Sequence, residues 1–163
     1  MNDKAKEENK RDYITFDLSL KALAKLDPKK LFKLLTNHFV KSVLPTEYQN
    51  LELRLDYVVE LDNDDILHIE FQSINDPQMH IRMLNYFAVL KREFEDRNII
   101  QIVLYIGDEK MNMKDTVTNY NMSYSFKLID IRDLPKEELI NSDSSADLIF
   151  AFLTRIVQDE ALQ

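Results

Sequence analysis

The chain has 163 residues and a mass of 19.3 kDa, which suits one domain with one core, and its 45% hydrophobic and 31% charged residues describe a globular rather than a disordered protein. A single glycine, Gly107, excludes Walker, dinucleotide-binding and kinase glycine-rich loops, each of which needs several residues without a Cβ to wrap backbone around phosphates. The absence of cysteine excludes thiolate nucleophiles, disulfides, iron–sulfur clusters and cysteine-bound zinc. His38, His68 and His80 match no HExxH helix, so a metal would sit on carboxylates. No apolar leader opens the chain and Ile99 to Ile106 is too short a run to span a bilayer, so a cytoplasmic protein is expected. The net charge of −8 opposes a nucleic-acid partner. Yet Leu18 to Lys41 holds Lys21, Lys25, Lys29, Lys30, Lys33 and Lys41 against Asp27 alone, which fits either a solvated helical face or a phosphate-binding strip.

No repeat or linker divides the sequence, so a flexible polar lead over residues 1–12 and a single domain over 13–163 are expected. Phe16 to Ala24 has helical spacing, with Asp17 placed to cap it. Asp27-Pro28 reads as a cap followed by proline in the first helical position of a helix from Lys29 to about Val40, striped by Leu31, Phe32, Leu34, Leu35 and Phe39. From Leu51 to Leu61 the apolar residues fall at every second position, predicting a half-buried strand. Asp62-Asn63-Asp64-Asp65 is a turn, and Ile66 to Ser73 completes a hairpin. Asp76-Pro77 opens the longest helix, to about Asp96, and the β-branched run Ile99 to Ile106 predicts a central strand parallel to its predecessor. After a polar loop over Asp108 to Met122, a strand from Ser125 to Ile131 and a helix from about Ala146 to Asp159 give the order α-α-β-β-α-β-β-α. The expected fold is an α/β sandwich around a small mixed sheet.

Glu70 and Gln72 lie two apart on the second hairpin strand and share a face, while Ile69 and Phe71 point the other way. Asp56 joins them only if the register cooperates. A three-residue loop, Asp62 to Asp64, sets Asp56 opposite Glu70, whereas a two- or four-residue loop separates them unless a bulge intervenes. Two carboxylates on one face call for a cation. All-oxygen donors suit Mg²⁺ or Mn²⁺, which can bind a phosphate oxygen and acidify a water as phosphodiester hydrolysis requires. Spacing alone leaves an ordinary exposed face as the alternative. His68 shares the face of Glu70, with a packing role as its alternative.

The stretch LDYVVELDNDDILHIEFQSINDPQMHIRMLNYF resembles the Rpn recombination-promoting nuclease and YhgA-like transposase group of the PD-(D/E)XK nuclease superfamily. The resemblance is carried by Asp56 on one hairpin strand, by Leu67-His68-Ile69-Glu70-Phe71-Gln72-Ser73 on the next, by Asp76, and by Arg82-Met83-Leu84-Asn85-Tyr86 on the helix. Phe16-Asp17 with Lys21 is similar to the group's opening helix, so the likeness covers Asp12 to Leu134. It implies a restriction-endonuclease-like α/β/α sandwich and a Mg²⁺-dependent DNA endonuclease. On that resemblance Asp56 and Glu70 are metal-binding carboxylates, the Phe71 carbonyl is a further ligand, and Asp17 is an outer ligand or a helix cap. Gln72 takes the place of the superfamily's lysine, positioning water without supplying positive charge. Arg82, Tyr86 and Lys21 contact phosphate, Arg82 and Tyr86 being otherwise a solvated pair one helical turn apart. The implied partner is DNA, without a membrane and with a homodimer left open. The alternatives are a nuclease-fold module that binds DNA or protein without useful catalysis, which the missing lysine favours, and a fragment of a mobile element.

Overall fold

A computed structural model of the chain describes residues 19, 21–24, 26, 28–47 and 54–160, the last six by backbone alone. Residues 21–24 are helical. There follow α1 (Lys29–Thr36), β1 (Val40–Val43), β2 (Tyr57–Leu61), β3 (Ile66–Gln72), α2 (Met79–Glu93), β4 (Ile99–Tyr105), β5 (Thr116–Asn119), β6 (Met122–Ser125) and β7 (Lys127–Asp130). A 3-10 turn (Ile131–Asp133), α3 (Lys136–Ile140) and α4 (Ser145–Glu160) close the order.

Five strands form one mixed sheet in the order β1-β2-β3-β4-β7, and β5 pairs with β6 in a separate hairpin. β1 pairs antiparallel with β2 and β2 with β3, the latter two joined by a tight turn, while β3, β4 and β7 run parallel. The 15-residue α2 is the crossover that lets β4 lie parallel to β3. Alternation sorts the strand side chains into two cores. Tyr57, Val59, Leu61, Ile69, Phe71 and Leu104 pack against Leu31, Phe32 and Leu35 of α1 and Phe150 of α4. Val58, Ile66 and Val103 pack against Met79, Met83 and Leu90 of α2 and against Phe126. The sheet therefore lies between helices on both faces, a mixed α/β arrangement. Among the described residues no helix is long and apolar enough to cross a membrane.

Several local expectations are corrected. The helix that opens at Lys29 stops at Thr36, because Asn37 takes a left-handed backbone (φ 65°) and its N–H caps Lys33. Val40–Val43 then pairs with β2 as an edge strand, leaving Phe39 outside the helix and half exposed. Pro28 occupies the cap position rather than the first helical one, with no side-chain cap of its own. Asp27, the expected cap, lies outside the described residues, and Asp147 of α4 takes that duty by accepting from Lys30 N–H and Leu31 N–H, both at 2.9 Å. The period-two run before the turn breaks at Asp56, which sits in a bend. Leu55 packs on the α2 side with Val58, and β2 itself is buried on both faces rather than half buried. The polar loop contains β5 and the start of β6, and the strand expected from Ser125 to Ile131 is present as β7, shortened at both ends because Ser125 belongs to β6 and Ile131 opens the 3-10 turn. The short α3 carried no periodic signal.

Candidate functional site

The geometry at the β2–β3 hairpin starts from its turn. Leu61 N–H donates to Asp65 O at 2.9 Å, and Asp64 adopts φ 68°, so Asp62 to Asp64 form a three-residue loop of the kind that ends in a left-handed residue. The ladder pairs Glu60 with Ile66, Val58 with His68 and Tyr57 with Ile69, and the next step in this register sets Asp56 against Glu70. The expected odd-length loop is present. Two crossed hydrogen bonds tie the pair together: Asp56 N–H donates to Glu70 Oε1 at 2.9 Å, and Phe71 N–H donates to Asp56 Oδ2 at 3.1 Å. Both carboxylates are buried, Asp56 to 8% and Glu70 to 1% exposure.

Each carboxylate gives its second oxygen to a cationic side chain. Lys21 Nζ lies 2.5 Å from Asp56 Oδ1, and Arg82 Nη2 lies 3.2 Å from Glu70 Oε2 while Nη1 reaches Asp76 Oδ2 at 2.9 Å. The two cations are partly exposed, unlike the carboxylates. The inner oxygens are thus held by backbone N–H groups, and the outer ones, Asp56 Oδ1 and Glu70 Oε2, face cationic side chains on the partly exposed side. Burial pushes the Asp56 carboxyl up to about 6. The charge on Glu70 adds to that rise, and Lys21 and the Phe71 N–H oppose it. Burial works against the charge on Arg82, yet its bonds to Asp76 and Tyr86 and the charge of Glu70 raise its pKa overall. Tyr86 is buried, and burial with the nearby Glu70 charge raises its hydroxyl. Its ring meets His68 edge-on at 5.2 Å and its hydroxyl is turned toward Arg54 O at 3.5 Å.

Asp56, Glu70, Lys21, Arg82 and Tyr86 therefore come together. Gln72 lies on the same strand face, but its amide donates to Ile74 O at 2.9 Å. Asp17 lies outside the described residues. In an extended strand N–H and C=O of one residue open to the same side, so the Phe71 carbonyl shares the side of Asp56. The lysine-rich stretch is not one surface. Lys41 bridges Glu60 and Asp64 at the far end of the hairpin, and Lys29 and Lys30 line a cavity of about 720 Å³ beside Ser142 to Ala146, on the opposite face of the sheet from α2. Lys25 lies outside the described residues.

Sequence reasoning passed over Gln101. Its amide contacts His68 Nδ1 at 3.0 Å, and His68 Nε2 contacts Glu70 Oε1 at 3.0 Å, both within the protein interior. The available signal was the one polar side chain interrupting the β-branched run Ile99 to Ile106. Among the described residues no third His, Asp or Glu completes a ready-made metal group. A cation here would rest on two carboxylates, the Phe71 carbonyl and water or phosphate oxygens. That sparse all-oxygen set fits Mg²⁺, which keeps several waters and is commonly held by one or two carboxylates with substrate phosphate. Comparison with family models, curated proteins and solved structures returned no match to this chain.

Proposed function

We propose that the protein is a Mg²⁺-dependent DNA endonuclease, of the Rpn recombination-promoting nuclease and YhgA-like transposase kind, built on a restriction-endonuclease-like sheet. One observation carries the reading: two buried carboxylates, locked by crossed hydrogen bonds, each present one oxygen to a partly exposed cation. Asp56 and Glu70, with the Phe71 carbonyl, would hold Mg²⁺ or Mn²⁺. The bound ion supplies charge for the phosphate and an acidified water. Lys21, beside Asp56, brings the positive charge that Gln72 lacks, and Arg82, anchored by Asp76, presents its guanidinium to the phosphate. Tyr86 supports this site by packing under His68.

Nicking of supercoiled DNA in Mg²⁺ tests the proposal. Asp56→Ala and Glu70→Ala are each expected to slow nicking by about 100-fold or more, in keeping with the several kcal/mol a Lewis acid contributes. Parent-level nicking by both variants overturns it. The tie between Gln72 and the Ile74 carbonyl, with both outer carboxylate oxygens already paired, favours a second reading as a non-catalytic module that binds DNA or protein. Titration with Mn²⁺ separates the two, since a module has no need to bind millimolar metal.

A further inference from the structure

We propose that His68, Gln101 and Tyr124 are positioning residues for Glu70, a buried relay that pins one oxygen of its carboxylate inward and leaves the other facing the opening of the site. The assignment rests on the reading of Glu70 as a cation-facing carboxylate.

The chain of contacts has a defined direction. Gln101 Nε2 donates to Met83 O at 3.1 Å, and the Tyr124 hydroxyl donates to Gln101 Oε1 at 2.6 Å. Turning the amide round would set its oxygen against the Met83 carbonyl, so the NH₂ group is fixed toward His68. Burial raises the pKa of the Tyr124 hydroxyl, which keeps it a donor. The second amide hydrogen of Gln101 meets His68 Nδ1, which must accept, and the ring proton is therefore carried on Nε2. That proton points at Glu70 Oε1, which also receives Asp56 N–H. With two donors, the lone pairs of Oε1 are filled. Oε2 is left to Arg82 on the partly exposed side.

Packing alone does not account for this arrangement. His68 is fully buried and Gln101 is 5% exposed, in a core layer that includes Val58, Ile66, Met83 and Val103. An apolar side chain would fill either position without the cost of burying amide and imidazole groups. What the polar pair adds is a donor at a fixed point beside Glu70. The line from Tyr124 also ties hairpin β5–β6 to the site, since Tyr124 lies on β6 and packs against Phe87 of α2.

The test uses the full chain without metal, so nuclease activity does not enter. Ring ¹⁵N–¹H correlation of His68 is expected to show the Nε2–H tautomer, and an Nδ1–H ring overturns the proposal. Hydrogen exchange of the Asp56 amide, which shares Glu70 Oε1, reports where that oxygen sits. His68→Leu fills the space without a donor and is expected to speed this exchange by about tenfold while the Val103 amide keeps its rate. His68→Gln, which can bring an N–H to the position of Nε2, is expected to stay within about twofold of the parent. Unchanged Asp56 exchange in His68→Leu overturns the proposal, as does a His68→Gln variant that exchanges as fast as His68→Leu. The two readings fail separately: a parent that binds no Mn²⁺ overturns the metal reading, and the amide rates decide the positioning assignment.

Discussion

Burial lifts the Asp56 carboxyl from its ordinary 3.8 to about 6. Between those values the folded protein holds a proton that the unfolded chain has released, so the stability this group contributes is fully present below about pH 4 and is lost as pH rises through 6. Asp56→Asn removes that dependence. In metal-free urea titrations the variant is expected to gain on the parent by on the order of 2 kcal/mol between pH 4 and pH 7. Parallel stability curves would contradict the burial argument. Gly107, the chain's single glycine, answers to space rather than to backbone angle. A Cβ there would lie 2.5 Å from Tyr105 Oη and nearer still to the Ser73 carbonyl, and its φ is not positive. Neither a backbone carbonyl nor a fully buried ring can yield cheaply, so Gly107→Ala is expected to cost about 3 kcal/mol, read as a lowered urea midpoint with unchanged slope.

At the scale of the element, α1 depends on a residue far from it. Asp147 is fully buried and accepts from Lys30 N–H, Leu31 N–H and the Ser142 hydroxyl. Asp147→Ala strands the buried Leu31 N–H and two part-buried donors and is expected to destabilise the protein by about 2–3 kcal/mol, while Asp147→Asn, which keeps an acceptor, costs less. Denaturant unfolding of the two variants checks the order. The same non-local character explains what the sequence left illegible. α2, α4, β3 and β4 could be read because each is long enough for its period to repeat, and the pairing of Asp56 with Glu70 followed from parity and loop length. β1, β5, β6 and α3 span four or five residues each, too few for a period, and exist because a partner strand or helix pairs with them. The break at Asp56 escaped the same arithmetic, since continuous alternation through Leu55 gives no sign of a bend. Gln101 reaches His68 across 33 positions and Asp147 reaches α1 across 116, distances over which local pattern carries no information.

For the whole molecule, a charge of −8 must be squared with a DNA substrate. The proposed phosphate contacts are Lys21 and Arg82, because Lys41 is engaged at the far turn and Lys29 and Lys30 lie across the sheet. Two contacts predict that log affinity falls with log salt at a slope of about −2, against about −5 for a continuous lysine strip. Fluorescence anisotropy with Ca²⁺ in place of Mg²⁺ checks the slope, and Lys29→Ala with Lys30→Ala is expected to leave it unchanged. The Asp147 cap has one more consequence, in the order of synthesis. α1 leaves the ribosome before α4, and the acceptor for its first N–H groups is translated more than a hundred residues later. A nascent chain therefore lacks the acceptor for the leading turn of α1 until α4 arrives, a long-range contact of the slow kind. Until then the helical layer that α1 and α4 form on that face of the sheet is incomplete.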